Sequence, residues 1–235
     1  MIPLSLAATR NAIPADSAGR KTEAMADIVR GRAGSPIRRL LVVGCGSGVE
    51  AAALARALRA QVLGIDLRAS FDRVAAGAAD LRQGDATRLE FADGDFDFVY
   101  SYHVLEHIPQ YMRALAEMHR VLNKGGAYLV GTPNRSRLVG YLGSVGVPFR
   151  DKLAWNLADW KAKLQGRFRN ECGAHAGFTA AELGGALAKV FGSAEEITVR
   201  YYLGVYERHA RLVKCLARSG LGRWLFPAVY FMGTK

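Results

Sequence analysis

Residues 38–43 open on two arginines and close as the compact apolar run Leu40-Leu41-Val42-Val43, which ends in Gly44-Cys45-Gly46-Ser47-Gly48. No other stretch limits the choice of fold as strongly. An unbroken apolar run of this length reads as a strand buried on both faces, the pattern of a parallel sheet. Glycines directly after it permit a tight turn and close approach of backbone to a ligand. Residues 49–58, rich in Ala and Leu, then read as the first crossover helix. A helix that starts on such a loop offers free N–H groups to an anionic group. The spacing is GxGxG, and Val49 stands where the dinucleotide fingerprint GxGxxG would place its last glycine.

The alternation continues downstream. Residues 61–65 read as a second strand closed by Asp66, and 81–83 as a short third strand turning at Gly84-Asp85. Residues 96–101 form a fourth strand, 104–122 a helix, 123–126 a turn and 127–131 a fifth strand. Strands alternating with helices predict an α/β domain, its parallel sheet covered on both faces. Right-handed crossovers place all strand C-termini along one edge, where ligands bind. Residues 1–35 are an N-terminal extension with one helical pattern at 22–29. Residues 135–177 break the rhythm and read as an inserted lid, helical over 153–164. A helix over 179–188 follows, with Thr179 as N-cap and Glu182 three residues on. Residues 196–202 and 229–233 read as a closing strand pair, with a basic helix over 208–217 between them.

Asp66 lies about 20 residues after the glycines, where an acid can accept hydrogen bonds from both hydroxyls of a ribose. Asp85 can accept from an adenine amino group while the neighbouring N–H of Ala86 donates to a ring nitrogen. The plainer readings are a solvated acid at a strand end and an Asp in a turn. The two acids and the glycine loop standing in sequence order favour the ligand reading.

LLVVGCGSG, GID, GDA, FDFVYSYHVLEHI and LNKGGAYLVGTPN stand in the order and approximate spacing of class I methyltransferases. From about residue 38 to 134 the chain resembles the small-molecule group of that family, which includes quinone-biosynthesis enzymes. The resemblance implies a Rossmann-like fold of seven strands, mostly parallel with the last antiparallel. It implies S-adenosylmethionine as cofactor. Gly44, Cys45, Gly46 and Gly48 would line its methionine end, Asp66 and Leu67 the ribose side, and Asp85 and Ala86 the adenine. Ser101 and Tyr102 would lie near the sulfonium.

Methyl transfer needs nucleophile, methyl and sulfur aligned and water excluded. A base is required only where the nucleophile must lose a proton. His103, just after the fourth strand, is the catalytic candidate, weighed against a packing role. His107 and Glu106 read as structural. Cys172 and His175 lack the second pair that a metal site needs. Two other functions compete: an NAD(P)-dependent oxidoreductase, and a methyltransferase-like binding protein without turnover.

Charge bears on the acceptor. The formal net charge is +11, yet residues 40–134 carry nine basic and eleven acidic residues. Residues 135–170 carry eight basic residues against Asp151 and Asp159. This basic, aromatic lid admits three readings: a solvated face, a site for a phosphate or acidic substrate, or a membrane-surface stretch reaching a lipid-linked acceptor. Nucleic acid is disfavoured, since no Asn/Asp-Pro-Pro-Tyr follows the fourth strand. Three cysteines make no disulfide framework, and no signal or membrane span is expected, which suggests a cytoplasmic protein.

Overall fold

Arg39–Val43 (β1) is buried from its second residue to its last. Its side chains alternate between two cores. Leu40 and Val42 point into one cluster, Leu41 and Val43 into the other. A computed structural model describes residues 15–32, 36–141, 146–170 and 175–235, with side chains from residue 21 onward. β1 pairs in parallel with Gln61–Asp66 (β2) and with Phe96–Tyr102 (β4). β2 carries Asp80–Gln83 (β3), and β4 carries Leu122–Pro133 (β5), also in parallel. Ala228–Thr234 (β7) runs antiparallel between β5 and the two-residue Glu195–Glu196 (β6). The order is β3-β2-β1-β4-β5-β7-β6, the seven-stranded sheet that the resemblance implies.

Helices Ala15–Arg32 (α1), Val49–Leu58 (α2) and Thr198–Val205 (α7) cover one face. Met25, Leu54 and Tyr201 there meet Leu40, Phe98 and Leu129. Tyr111–Val121 (α4) and Ala180–Phe191 (α6) cover the other, with Leu115, Met118 and Leu187 against Val99 and Val130. The short Arg73–Ala76 (α3) is capped by Asp72, whose carboxylate accepts from the N–H groups of Val74 and Ala75.

Three expected elements differ. Residues 104–122 are not one helix: a 3-10 turn at Leu105–His107 is followed by extended Ile108, and α4 begins at Tyr111. Pro109 disfavours the helical conformation for the residue before it. Residues 123–126 belong to β5, where the register with β4 shifts and the Gly125 N–H and Gly126 C=O pair with Lys235. Residues 198–202 are helical, and only Glu195–Glu196 pair with β7. The β-branched residues there favour a strand. Burial of Thr198, Tyr201 and Tyr202, at helical spacing, decides otherwise.

Between β5 and α6 the chain leaves the sheet and returns to the same place. The Arg135 N–H donates to Phe178 O, and the Phe178 N–H to Pro133 O. The excursion contains Phe149–Leu164 (α5), which starts four residues earlier than expected. It ends at the capping box of Thr179 and Glu182, as expected. Ala210–Arg218 (α8) and Gly222–Leu225 (α9) lead into β7. Among the described residues no helix is long and apolar enough to cross a membrane.

Candidate active site

The residues singled out in the sequence converge on the C-terminal edge of the sheet, at the ends of four of its five parallel strands. Gly44, Gly46 and Gly48 all have positive φ, at 73°, 56° and 85°. Two of them are required by packing. A Cβ on Gly44 would stand 2.1 Å from Val104 Cγ2, and one on Gly48 2.2 Å from Leu81 Cδ1. The loop is tied to the neighbouring strand, because the Gly44 and Cys45 N–H groups both donate to Ile65 O. Cys45 is buried, which pushes its thiol up to about 12, with Asp66 adding to the shift.

Asp66 organises the loop as well as closing β2. Its Oδ2 accepts from the Gly46 N–H at 2.9 Å and its Oδ1 from the Arg68 N–H at 3.0 Å. Each carboxylate oxygen has a second lone pair for an outside donor. Beside it Leu67 is 65% exposed, an apolar surface at the same edge. Gln83 Nε2 donates to Leu67 O and joins the ends of β2 and β3. Asp85 Oδ1 accepts from Thr87 twice, from its N–H and its hydroxyl, which holds the carboxyl below the usual range. Ala86 is buried in the core behind it.

β4 supplies the third side. Ser101 is 1% exposed, and its hydroxyl finds no hydrogen-bond partner among the described residues. A buried hydroxyl without a partner is costly, and a ligand at the edge would supply one. Tyr102 stacks on Tyr230 and accepts a hydrogen bond from its hydroxyl at 3.3 Å. Gly131 leaves room for both rings, since a Cβ there would meet Tyr230 at 2.7 Å and Tyr102 at 3.0 Å. Tyr201 lies on Tyr230, with ring centroids 3.9 Å apart, and extends this aromatic wall. Burial raises all three phenols, so they stay neutral.

His103 follows with φ +55°, a left-handed backbone unusual outside glycine. Its ring lies 4.1 Å from that of Tyr102. Its side chain is exposed at the sheet edge, yet dense protein stands around it. That surrounding mass, then Arg137, His107, His175 and Lys21, push its pKa down to about 3. The imidazole is therefore neutral at physiological pH, able to accept a proton but weakly basic. His107 and His175 meet edge to face at 4.8 Å, which brings the excursion after β5 against the loop after β4.

Sequence reasoning missed a polar group beneath the loop. The Tyr100 hydroxyl donates to Glu50 Oε1 at 2.8 Å, and the Lys21 ammonium opposes the Glu50 charge. Burial raises the Glu50 carboxyl and lowers Lys21. Glu50 was visible as the first-turn acid of α2. Lys21, from the start of α1, carried no signal. Among the described residues no group of three or more His, Cys, Asp or Glu could hold a metal. Cys172 lies outside the described residues. A groove of about 580 Å³ at the opposite edge, lined by Arg39, Gln61 and Arg82 among others, shares no residue with this site.

Residues 41–130 match the family model described as a methyltransferase domain. The chain carries a class I methyltransferase domain. The match spans β1 to β5 and contains every singled-out residue of the edge. It sets aside the nicotinamide oxidoreductase reading. A probable S-adenosylmethionine-dependent methyltransferase of Mycolicibacterium smegmatis is 36% identical over 106 residues, covering 42% of this chain and 39% of that protein. A ubiquinone biosynthesis O-methyltransferase of Pseudomonas aeruginosa is 34% identical over 113 residues, 45% of this chain and 48% of that one. The methyltransferase domain thus spans less than half the length of these curated relatives. A structure from Thermotoga maritima, a possible histamine N-methyltransferase, superposes with TM-score 0.55 at 20% identity. It covers 94% of this chain and 93% of that chain, a likeness of fold.

Proposed function

We propose that the protein transfers a methyl group to an oxygen of a small or lipid-linked acceptor. The methyl donor is S-adenosylmethionine, which when bound supplies a methyl already activated by a positive sulfur. One observation carries the reading. The glycine loop, Asp66, Asp85 and the unpartnered Ser101 hydroxyl meet at one sheet edge, inside the segment that matches the methyltransferase family.

The geometry supports the following roles. Asp66 and Asp85 receive ribose and adenine donors, and Leu67 offers apolar surface between them. Ser101 gives its orphaned hydroxyl to the ligand. The wall of Tyr102, Tyr201 and Tyr230 excludes water from the reacting end, where unwanted hydrolysis and solvation would compete. His103, neutral at this edge, takes the proton of a hydroxyl acceptor. Arg137 and His175 bring the excursion after β5 close to it, so that segment covers the acceptor. The oxygen acceptor is supported by the likeness to a ubiquinone biosynthesis O-methyltransferase. The basic residues at 135–170 favour an acidic or membrane-held one. The free thiols of Cys45 and Cys215 agree with a reducing, cytoplasmic setting.

Calorimetry with S-adenosylmethionine, its demethylated product and NAD is the first test: the first two bind and NAD does not. Saturable NAD binding alone would sink the reading. A panel of hydroxylated and amino acceptors, with and without a lipid tail, then identifies the nucleophile. With a hydroxyl acceptor, His103→Ala lowers the methyl-transfer rate by about 10²-fold, the low end for a general base because this imidazole is weakly basic. Cofactor affinity stays near wild type. An unaltered rate across a pH series returns His103 to a packing role.

A further inference from the structure

Helix α5 is attached to the protein through polar groups. Asn156 is buried; its Oδ1 accepts from the Gly140 N–H at 2.7 Å and its amide donates to Gly140 O and Lys152 O. Asp159 pairs with Arg137 at 2.9 Å and accepts from the Tyr141 hydroxyl. Lys163 donates to the Arg137 carbonyl. Trp155 adds one aromatic contact, edge to face with Tyr141 at 5.2 Å, and the other large apolar residues take the free surface. Phe149, Leu153, Leu157, Trp160 and Leu164 share an arc of about 80° along the helix. They are 75, 47, 52, 41 and 90% exposed. An ordinary surface helix buries its apolar stripe against the core. This one leaves it uncovered.

The uncovered surface continues beyond α5. Trp160 Nε1 donates to Leu138 O at 2.6 Å, and the Leu138 N–H donates to Trp224 O at 2.7 Å. Leu138, itself 51% exposed, therefore joins the stripe to α9, where Trp224, Leu221 and Leu225 are exposed as well. Cations edge both parts. Arg150 and Lys161 lie just beyond the stripe on α5, and the Arg223 guanidinium sits 5.2 Å from the centre of the Trp224 ring. Residues 207–224 hold five Arg or Lys against the single acid Glu207.

We propose that this face docks on an anionic lipid surface. Exposed Leu and Phe insert, tryptophans settle at the head-group level, and Lys and Arg meet anionic head groups near the surface. Charge selects this occupant over a second copy, which would bring its own cationic rim against the first. α5 spans roughly 24 Å at 1.5 Å per residue and lies along the interface. The excursion that carries it starts and ends at the strand edge, so a membrane-held acceptor would reach that edge beside His103. This purpose rests on the proposed methyl transfer; the docking itself does not.

Flotation of the full chain with phosphatidylcholine vesicles, with and without phosphatidylglycerol, tests it. Binding is expected only with phosphatidylglycerol, falling as salt passes physiological strength, where charge is screened over about 8 Å. The variant L153S/L157S/L164S, altered only at exposed positions, should bind at least about tenfold more weakly, since burying one leucine is worth more than the 1.4 kcal/mol of a tenfold change. Its circular dichroism and its affinity for S-adenosylmethionine should match wild type. Brominated lipid should quench Trp160 and Trp224 in wild type. Indifference to phosphatidylglycerol at low salt overturns the proposal. So does a lipid-free dimer that the triple variant dissolves, which would assign the face to a second copy. Vesicle binding without cofactor binding would instead leave docking standing and remove the methyltransferase reading.

Discussion

Asp66 works in two directions. It fixes the Gly46 N–H, and with it the course of the glycine loop, and it keeps acceptor capacity toward the open edge. Asp66→Ala should weaken S-adenosylmethionine binding by about 1.5–3 kcal/mol, because ribose donors lose a charged acceptor. Calorimetry reads this directly; an unchanged dissociation constant in a folded variant would place the ribose elsewhere. Glu106 carries a different signal. Burial pushes its carboxyl up to about 7, and its Oε2 has no hydrogen-bond partner among the described residues. The unfolded chain releases this proton near pH 4.5, the native protein only near 7. Its stabilising share is therefore full below about pH 4.5 and is lost as pH rises through 7, on the order of 3 kcal/mol in all. Urea denaturation at pH 5 and pH 8 should show Glu106→Gln losing less stability across that interval than wild type. Equal losses would mean that Glu106 is ionised in the native state at both values.

At the scale of elements, the excursion after β5 hangs on the joint between Pro133 and Phe178. Gly177 holds it with φ +73°, and a Cβ there would stand 1.8 Å from Pro133 O. Gly166 has φ +66° with nothing within 4 Å. Gly166→Ala should cost about 1 kcal/mol, for left-handed backbone alone, and Gly177→Ala more than about 3, because backbone must also move. Thermal unfolding of the two variants compares them; similar losses would show that the joint adapts. The elements legible in sequence were those whose pattern is local. The apolar runs of β1 and β4, the Ala-rich α2 and the Thr179–Glu182 cap each state their own structure. Residues 104–110 misled because their apolar spacing continues across Pro109. Residues 198–202 misled because β-branched side chains argue for a strand, while burial of Tyr201 and Tyr202 against β7 depends on partners far away in sequence. The same limit hid part of the site. Asp66, Asp85 and the glycines announce themselves at strand ends, but the Lys21–Glu50–Tyr100 group exists only once α1 lies over α2 and β4.

Over the whole molecule, cations outnumber anions 32 to 21. The pairing is uneven. Arg120 is held by Glu117 and Asp93 in the domain's middle, whereas residues 135–170 and 207–224 carry most of the excess. Self-repulsion of like charge destabilises a compact state, and salt relieves it. The melting temperature should therefore rise by about 2–4 °C from low to physiological ionic strength, the shift expected for about 1 kcal/mol in a chain of this size. A fall would mean that the ion pairs outweigh the repulsion.

The place of β7 inside the sheet also governs how the chain can be made. Synthesis proceeds from the N-terminus, and β5 is complete long before Ala228–Thr234 exists. Ala127 waits for Thr234, and Glu195 for Met232, before either has its partner. Until then the nascent protein carries an open, apolar strand edge in the middle of its future sheet, the kind of edge that recruits other strands. Translation of the intervening hundred or so residues is thus a period of exposure, and a binding chaperone or a fast ribosome would serve this protein better than a pause before β7.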